Sequence, residues 1–428
     1  MTESVAIVSA VDPYPADNGK SLVIKGFLDH FSQRLGADHV HFLHVGAPVK
    51  SVAAFGGVRV WEMGRPSRLD QLRAGVVELG VKRRSLQETL MSSPSVRRRV
   101  RDRLASIGAD VELIDTIRMH QHVCASSPAG RRIVYYDDLF SVRYERMLDV
   151  LAQGINPTGF DPLGQFRAYV PGPLHRLTTL SWARRALLRF ESRRVRRSEI
   201  RVARECRNHD LNLLINVEEA EELAELTHRR VEPVAPRLEL TSASPGTWDG
   251  APDFVFLGLL SIAHNSDAIT DFLDHGMPRL LELVPGAVLH IVGRDAPDAV
   301  VERATSYGES VRLHGFVEDL DSLLGGMCAM VNPLRFGSGV KIKTLDAIAR
   351  GLPVIATGYG AEGISAHSVP GLRVVRDSRE AAEGMAALTD PDVREAEARG
   401  AVTLFADHFS SEAVGRQYDR LFGTRRDG

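Results

Sequence analysis

The chain has 428 residues, 44% hydrophobic and 25% charged, with a formal net charge of -2. That is about the length of two ordinary domains, and the balance excludes a disordered or fibrous class and any whole-molecule attraction to nucleic acid. Cys124, Cys206 and Cys328 are too scattered for a zinc site or disulfide framework, and the start, MTESVAIVSAVDPYPADNG, is no signal peptide. With no run of about eighteen apolar residues, a cytoplasmic protein is expected, with any membrane contact peripheral.

Short apolar runs alternate with longer amphipathic ones, the pattern of an α/β chain with parallel sheets. In the first half the strands are expected at 4-11, 39-45, 111-117, 131-136 and 211-216. Two stretches are strongly basic: KRRSLQETLMSSPSVRRRVRDR (82-103), and residues 183-207, where ten arginines stand against three glutamates. They read either as contacts to an anionic membrane or as solvated helix faces paired with nearby acids. Aromatic residues are too sparse in them for nucleic-acid binding.

Proline, glycine and serine cluster in VEPVAPRLELTSASPGTWDGAP (231-252), which marks a linker. A second series of strands follows, at 254-260, 287-293, 311-317, 328-334, 353-357 and 372-375. The boundaries expected are 1-235 for the first domain and 236-408 for the second, with 409-428 a helix that returns to the first.

Residues 335-364, RFGSGVKIKTLDAIARGLPVIATGYGAEGI, carry the chemistry. A glycine loop, Gly337-Ser338-Gly339, leads into a helix from about Val340 to Arg350 whose sheet-facing stripe is Ile342, Leu345 and Ala349; Gly351 and Pro353 stop it. Glycines let a ligand approach the backbone, and the free amides of a helix start favour an anion. Lys341 and Lys343 oppose the helix dipole there, a conflict that a bound anion resolves. A second glycine loop reaches the same carboxyl edge of the sheet, and Asp346 follows on the flank of the helix, able to accept bonds from ribose hydroxyls. The plainer reading is a tight turn, solvated lysines and an i, i+3 pair between Lys343 and Asp346.

This stretch, with IVGRDAP, VRLHGFVEDLDSLL and FLGLLSIAHNSDAITDFL, resembles the second domain of retaining glycosyltransferases of family 4 over roughly residues 250-376. DPYPADNGKS, YYDDLFSVRYERM and the segment 189-223 match more loosely. The resemblance implies the GT-B fold, two facing Rossmann-like domains. A nucleotide sugar would be held mainly by the second, and a glycan, lipid-linked or small-molecule acceptor mainly by the first.

Two family glutamates fall on Ser338 and Asp346, while Glu362 and Gly363 fall on the second donor loop. LGLLSIAHN stands where the family places an arginine and a lysine, so Lys341 and Lys343 are expected to carry that charge, with His264 a weaker third. His120 is expected to orient the donor sugar or acceptor, Asp137 and Asp138 to bind acceptor hydroxyls, Gly19 to let a loop approach the donor and Arg294 to line the nucleotide site. Ordinary structural roles are the alternatives: a core histidine, Asp138 capping a helix, Gly19 in a turn, Arg294 covering a strand end. DLD at 319-321 reads as a helix cap rather than a metal motif. Neither a metal nor another cofactor is expected. The competing functions are a sugar-nucleotide epimerase or phosphorylase, and a non-catalytic partner subunit that binds a sugar nucleotide.

Overall fold

The computed structural model describes residues 3-16, 19-123, 128, 130-152, 181-207, 210-238, 248-337 and 339-423. The chain divides into two compact units. One holds Met1–Ala152 with the segment ending at Leu238 and the chain from Val414; the other runs from Glu239 to Ala413.

The first unit is built on a seven-stranded sheet. Its strands are β1 (Val5–Ser9), β2 (Val40–His44), β3 (Arg59–Glu62), β4 (Val111–Asp115), β5 (Arg131–Asp137), β6 (Leu211–Leu214) and β7 (Val231–Pro233). They lie in the order β3-β2-β1-β4-β5-β6-β7, and every pairing is parallel. β1, β2 and β4 are buried on both faces, which is why they read as mostly apolar runs, although β2 also buries His41 and His44 and β4 buries Glu112 and Asp115. β3 and β7 were not expected from the sequence: each is a short, polar, half-exposed edge strand, and β7 takes the first residues of the supposed linker.

The helix Gly19–Leu35 follows β1, and the C-terminal helix Ser411–Phe422 packs on it. Tyr418 stacks 5.2 Å from Phe27, Phe422 closes edge-on at 5.8 Å, and the Tyr418 hydroxyl donates to the Ala235 carbonyl at 3.1 Å. Val414, Tyr418, Leu421 and Phe422 are therefore core to a unit that begins at the opposite end of the chain.

The second unit has a six-stranded parallel sheet: β8 (Asp253–Leu257), β9 (Val288–Val292), β10 (Val311–Gly315), β11 (Ala329–Asn332), β12 (Val354–Thr357) and β13 (Leu372–Val375). The order is β10-β9-β8-β11-β12-β13. Strand order thus reverses between β8 and β11 here and between β1 and β4 in the first unit. Ligands of open α/β sheets sit at the carboxyl edge of such reversals. No described helix is long and apolar enough to cross a membrane.

Candidate functional site

The helix Ile342–Ala349 starts at the reversal in the second unit. Its buried residues are Thr344, Leu345, Ala347, Ile348 and Ala349, while Ile342, expected in the sheet-facing stripe, is only half-buried. Lys341 is its N-cap, in non-helical backbone, and the Lys341 carbonyl accepts from the Thr344 nitrogen at 2.9 Å. Gly351, at φ 69°, turns the chain out of the helix before Pro353.

Both lysines fold back onto the site. Lys343 Nζ donates to the Leu257 carbonyl at the end of β8 (2.8 Å) and to Asn265 Oδ1 (2.9 Å), 4.5 Å from the centroid of the Phe256 ring. Burial, and then the charge of Lys341, pushes its pKa down to about 7. Lys341 Nζ donates to the Gly339 carbonyl at 2.6 Å and forms an ion pair with Glu362 at 3.2 Å, both side chains nearly excluded from solvent. His264 is held neutral, its pKa lowered to about 4 by burial and then by Lys343 and Lys341. A side chain on Gly337 would come within 3.7 Å of Lys341 Nζ and 4.0 Å of the His264 ring.

A buried tie fixes the two glycine loops to each other. Asn332 Nδ2, at the end of β11, donates to Thr344 Oγ1 (2.9 Å), and Thr344 Oγ1 in turn donates to the Gly360 carbonyl (2.9 Å). Gly360 lies so close that an added Cβ would stand 2.2 Å from the Asn332 carbonyl oxygen. Gly339 is the opposite case: φ is 79° and nothing lies within 4 Å of where its Cβ would be. That leaves open space directly beside the lysines.

The structure therefore brings together Gly337, Gly339, Lys341, Lys343, Glu362 and Gly363, with His264 beside them. Asp346 is drawn off instead. Its carboxylate pairs with Arg350, which also holds Asp321 at 2.7 Å, so the i, i+3 pair with Lys343 is not formed. Arg294 is exposed, its guanidinium 5.4 Å from the Phe316 ring. Ser338 lies outside the described residues. Asp319 caps its helix by accepting from the Ser322 nitrogen at 3.0 Å. Among the described residues no group of three His, Cys, Asp or Glu is arranged to hold a metal ion.

The carboxyl edge of the first sheet is organised around Lys20, which follows Gly19 at the start of its helix. Lys20 Nζ lies 2.7 Å from Asp115 and 3.4 Å from Asp137, and 4.4 Å from the centroid of Tyr135. Ser9 Oγ donates to Asp115 at 2.7 Å, and the Tyr135 hydroxyl to Asp137 at 2.8 Å. Burial works to raise the Asp137 pKa, but Lys20 and Arg143 outweigh it and hold the carboxyl below its ordinary value. Two non-glycine residues at adjacent strand ends, Thr116 at φ 71° and Asp137 at φ 76°, have left-handed backbone. Strain of about 1–3 kcal/mol at each such residue concentrates at binding sites.

Two residues at this edge are enclosed. His120 ends the short helix Thr116–His120 and is only 3% exposed, 3.7 Å from Glu205, its pKa lowered to about 3 chiefly by burial. Asp138, expected to bind acceptor hydroxyls or to cap a helix, is buried against Arg143 (Nε to Oδ2 2.8 Å) and does not cap the helix Phe140–Ala152, whose start is met by Glu219, accepting from the Leu139 nitrogen, and by Glu199, accepting from that of Ser141.

Many of the arginines in the basic stretches are also spent within the unit. Arg99 donates to the Met63 carbonyl and Arg101 to that of His122, and Arg103 stacks on Trp61 at 3.8 Å. Arg196 pairs with Glu222, and Arg201 with Glu88 and Glu205.

Sequence reasoning missed Lys20, Asp115, Asn265 and Asn332. Lys20 had a signal, its place directly behind Gly19 in the turn motif; the asparagines had none, because their partners are distant in sequence.

Residues 251–390 match a family model described as glycosyl transferases group 1. An uncharacterized 44.6 kDa protein in the cps region of Klebsiella pneumoniae is 27% identical over 129 residues, a match spanning 29% of this chain and 33% of that relative. Among solved structures, sucrose-phosphate synthase from Thermosynechococcus elongatus superimposes with a TM-score of 0.60 at 14% identity, covering 98% of each chain. Anabaena HepE, in complex with UDP and glucose, gives 0.55 at 11% identity, covering 99% of this chain and 100% of HepE. Residues 251–390 thus match a glycosyl transferases group 1 domain, in a chain whose two parallel-sheet units have the GT-B fold.

Proposed function

We propose that the protein is a retaining glycosyltransferase of family 4 type, transferring a sugar from a nucleoside-diphosphate sugar to a glycan, lipid-linked or small-molecule acceptor. One observation carries the reading: Lys343, reaching across from the helix Ile342–Ala349, delivers its ammonium to the carboxyl end of β8 beside Lys341. That is where the resemblance calls for diphosphate-binding cations and the β8 loop itself supplies none. HepE, of the same fold, is a complex with UDP and glucose.

In this reading the diphosphate lies against the open space at Gly339, meeting the amides at the helix start and the two lysines. Cleavage of the anomeric bond places charge on the departing phosphate, and fixed cations in a water-poor site stabilise it without a metal. Lys343, its pKa pushed down to about 7 by burial and then by Lys341, takes up and holds a proton when the anion arrives. The acceptor hydroxyl attacks on the face the phosphate leaves and gives its proton to that phosphate, so no enzymic nucleophile is required. The strained edge around Lys20, Asp115 and Asp137 holds the acceptor through its hydroxyls.

A second reading is a partner subunit that binds a sugar nucleotide without transfer; it draws on Asp346, whose carboxylate is already paired with Arg350. Calorimetric titration with UDP, GDP, ADP and their sugar conjugates, followed by NMR of the anomeric proton of any product, separates the two. Binding with a retained anomeric centre in the product supports the transferase; binding with no product from a panel of acceptors supports the partner subunit. No binding to any of these nucleotides overturns both.

A further inference from the structure

Six of the 53 lysines and arginines are lysines, and three of those six stand at the strand-order reversals: Lys20, Lys341 and Lys343. Arginine keeps its proton in any protein environment, whereas lysine gives it up readily in a dry site. In so arginine-rich a chain, a lysine at such a site is a chemical choice rather than a compositional default. Lys20, Lys25, Lys82 and Lys341 each have a carboxylate oxygen at 2.6–3.2 Å, and Lys50 is exposed.

Lys343 is neither paired with an acid nor fully in solvent. It is half-buried, and its Nζ meets two neutral oxygens, the Leu257 carbonyl (2.8 Å) and Asn265 Oδ1 (2.9 Å), with no carboxylate in ion-pair reach among the described residues. Glu362, the acid of this site, is taken by Lys341. Two N–H groups match two acceptors, so the uncharged amine is satisfied there and its lone pair is left over. An ammonium would carry a third N–H, for which the described residues offer no oxygen, and would meet the like charge of Lys341. Burial and then Lys341 hold the pKa down to about 7, so near neutrality about half the molecules carry a free amine. Desolvation beside a second cation is how a lysine becomes a nucleophile.

We infer that Lys343 is a site of covalent acylation by acyl phosphates, compounds that bring a phosphate to this anion site and an activated carbonyl to its amine. The phosphate enters the open space beside Gly339, next to Lys341, and so holds the acyl carbon at the amine. The Nζ lone pair attacks that carbon, and the bond from carbon to the bridging oxygen breaks. Inorganic phosphate leaves with the bonding pair and takes up the proton lost from nitrogen. The product is an uncharged amide at Lys343, and the diphosphate of the donor loses one of its two cations. The inference rests on the anion site of the proposed function and adds a control to it: a supply of activated acyl groups turns donor binding down.

The test is incubation of the full chain with acetyl phosphate, followed by mass spectrometry of the lysine-bearing peptides. At pH 7, acetylation at Lys343 is expected to run at least about tenfold faster than at the exposed Lys50, from its larger share of free amine. Its rate levels off above about pH 8, whereas an ordinary exposed lysine gains about tenfold per unit up to about pH 10. Excess pyrophosphate suppresses labelling of Lys343 and leaves that of Lys50 unchanged. A rate no faster than that of Lys50, a rate that rises to pH 10, or labelling indifferent to pyrophosphate overturns the inference. Where the unlabelled protein binds a nucleotide, the acetylated fraction binds it about a hundredfold more weakly; equal affinity overturns the control. The two readings fail separately: an unlabelled Lys343 in a protein that binds nucleotide sinks the acylation alone, and a labelled Lys343 in a protein that binds none sinks the transferase alone.

Discussion

The two sheets reverse strand order in the same way, between β1 and β4 in one unit and between β8 and β11 in the other, yet they arrange charge differently at that point. In the second unit two lysines, Lys341 and Lys343, stand beside one carboxylate, Glu362. In the first, Lys20 pairs with both Asp115 and Asp137, and Arg143 and Arg118 add positive charge beside the same acids. The backbone plan supplies a crevice in both cases, and the side chains decide what enters it. Excess positive charge beside open glycine backbone suits a diphosphate; paired carboxylates on strained strand ends suit hydroxyl groups.

The largest effect is expected on the separateness of the two units. Tyr418→Ala removes a buried ring stacked on Phe27 and should cost about 3–5 kcal/mol, lowering the unfolding transition of the first unit while nucleotide binding by the second survives below that temperature. A single transition that falls for both units together would break the comparison at its root. Next, Lys343→Met should weaken nucleotide binding about a hundredfold, the worth of a charged hydrogen-bond partner of about 3 kcal/mol. Lys20→Met, the equivalent change at the other reversal, should leave that affinity within about twofold. If the two substitutions weaken binding alike in titration calorimetry, the difference in charge arrangement has no functional meaning.

Gly339→Ala should cost about 1–2 kcal/mol of stability for its left-handed backbone and should reduce nucleotide affinity by a further factor, because its Cβ enters the space reserved for ligand. An affinity unchanged once stability is accounted for would remove that loop from the site. The smallest effect concerns pH. Burial lowers the Lys343 pKa to about 7, and a bound diphosphate raises it, so binding takes up a proton above pH 7. Affinity for a nucleoside-diphosphate sugar is therefore full below about pH 7 and falls by up to tenfold per unit above it, and Lys343→Met should flatten that limb. A limb that persists in the variant would assign the proton to another group.

The buried strands were legible because parallel sheets covered on both faces read as mostly apolar runs, and β8, β9, β11 and β12 fall where those runs do. β3 and β7 were not, since edge strands of three or four half-exposed residues have no apolar pattern to read. The two lysines and the glycine loops stood out as a local conflict with the helix dipole. What the sequence withheld was which way each charge turns. Asp346 chose Arg350 over Lys343, and Lys343 reached 86 residues back in sequence to the end of β8. The enclosure of His120 was hidden for the same reason: its position after a strand was visible, but the arginines and the long helix that surround it come from elsewhere in the chain.

The packing of Tyr418 and Phe422 on Phe27 has a consequence for synthesis. A ribosome releases the segment from Glu239 to Ala413 before it releases the residues that complete the first unit. The N-terminal half, made first, is finished last, against the usual order in which domains fold as they emerge. A nascent chain stalled before Val414 would present a second unit with all its strands and a first unit lacking its closing helix, a substrate for a chaperone rather than a folded domain.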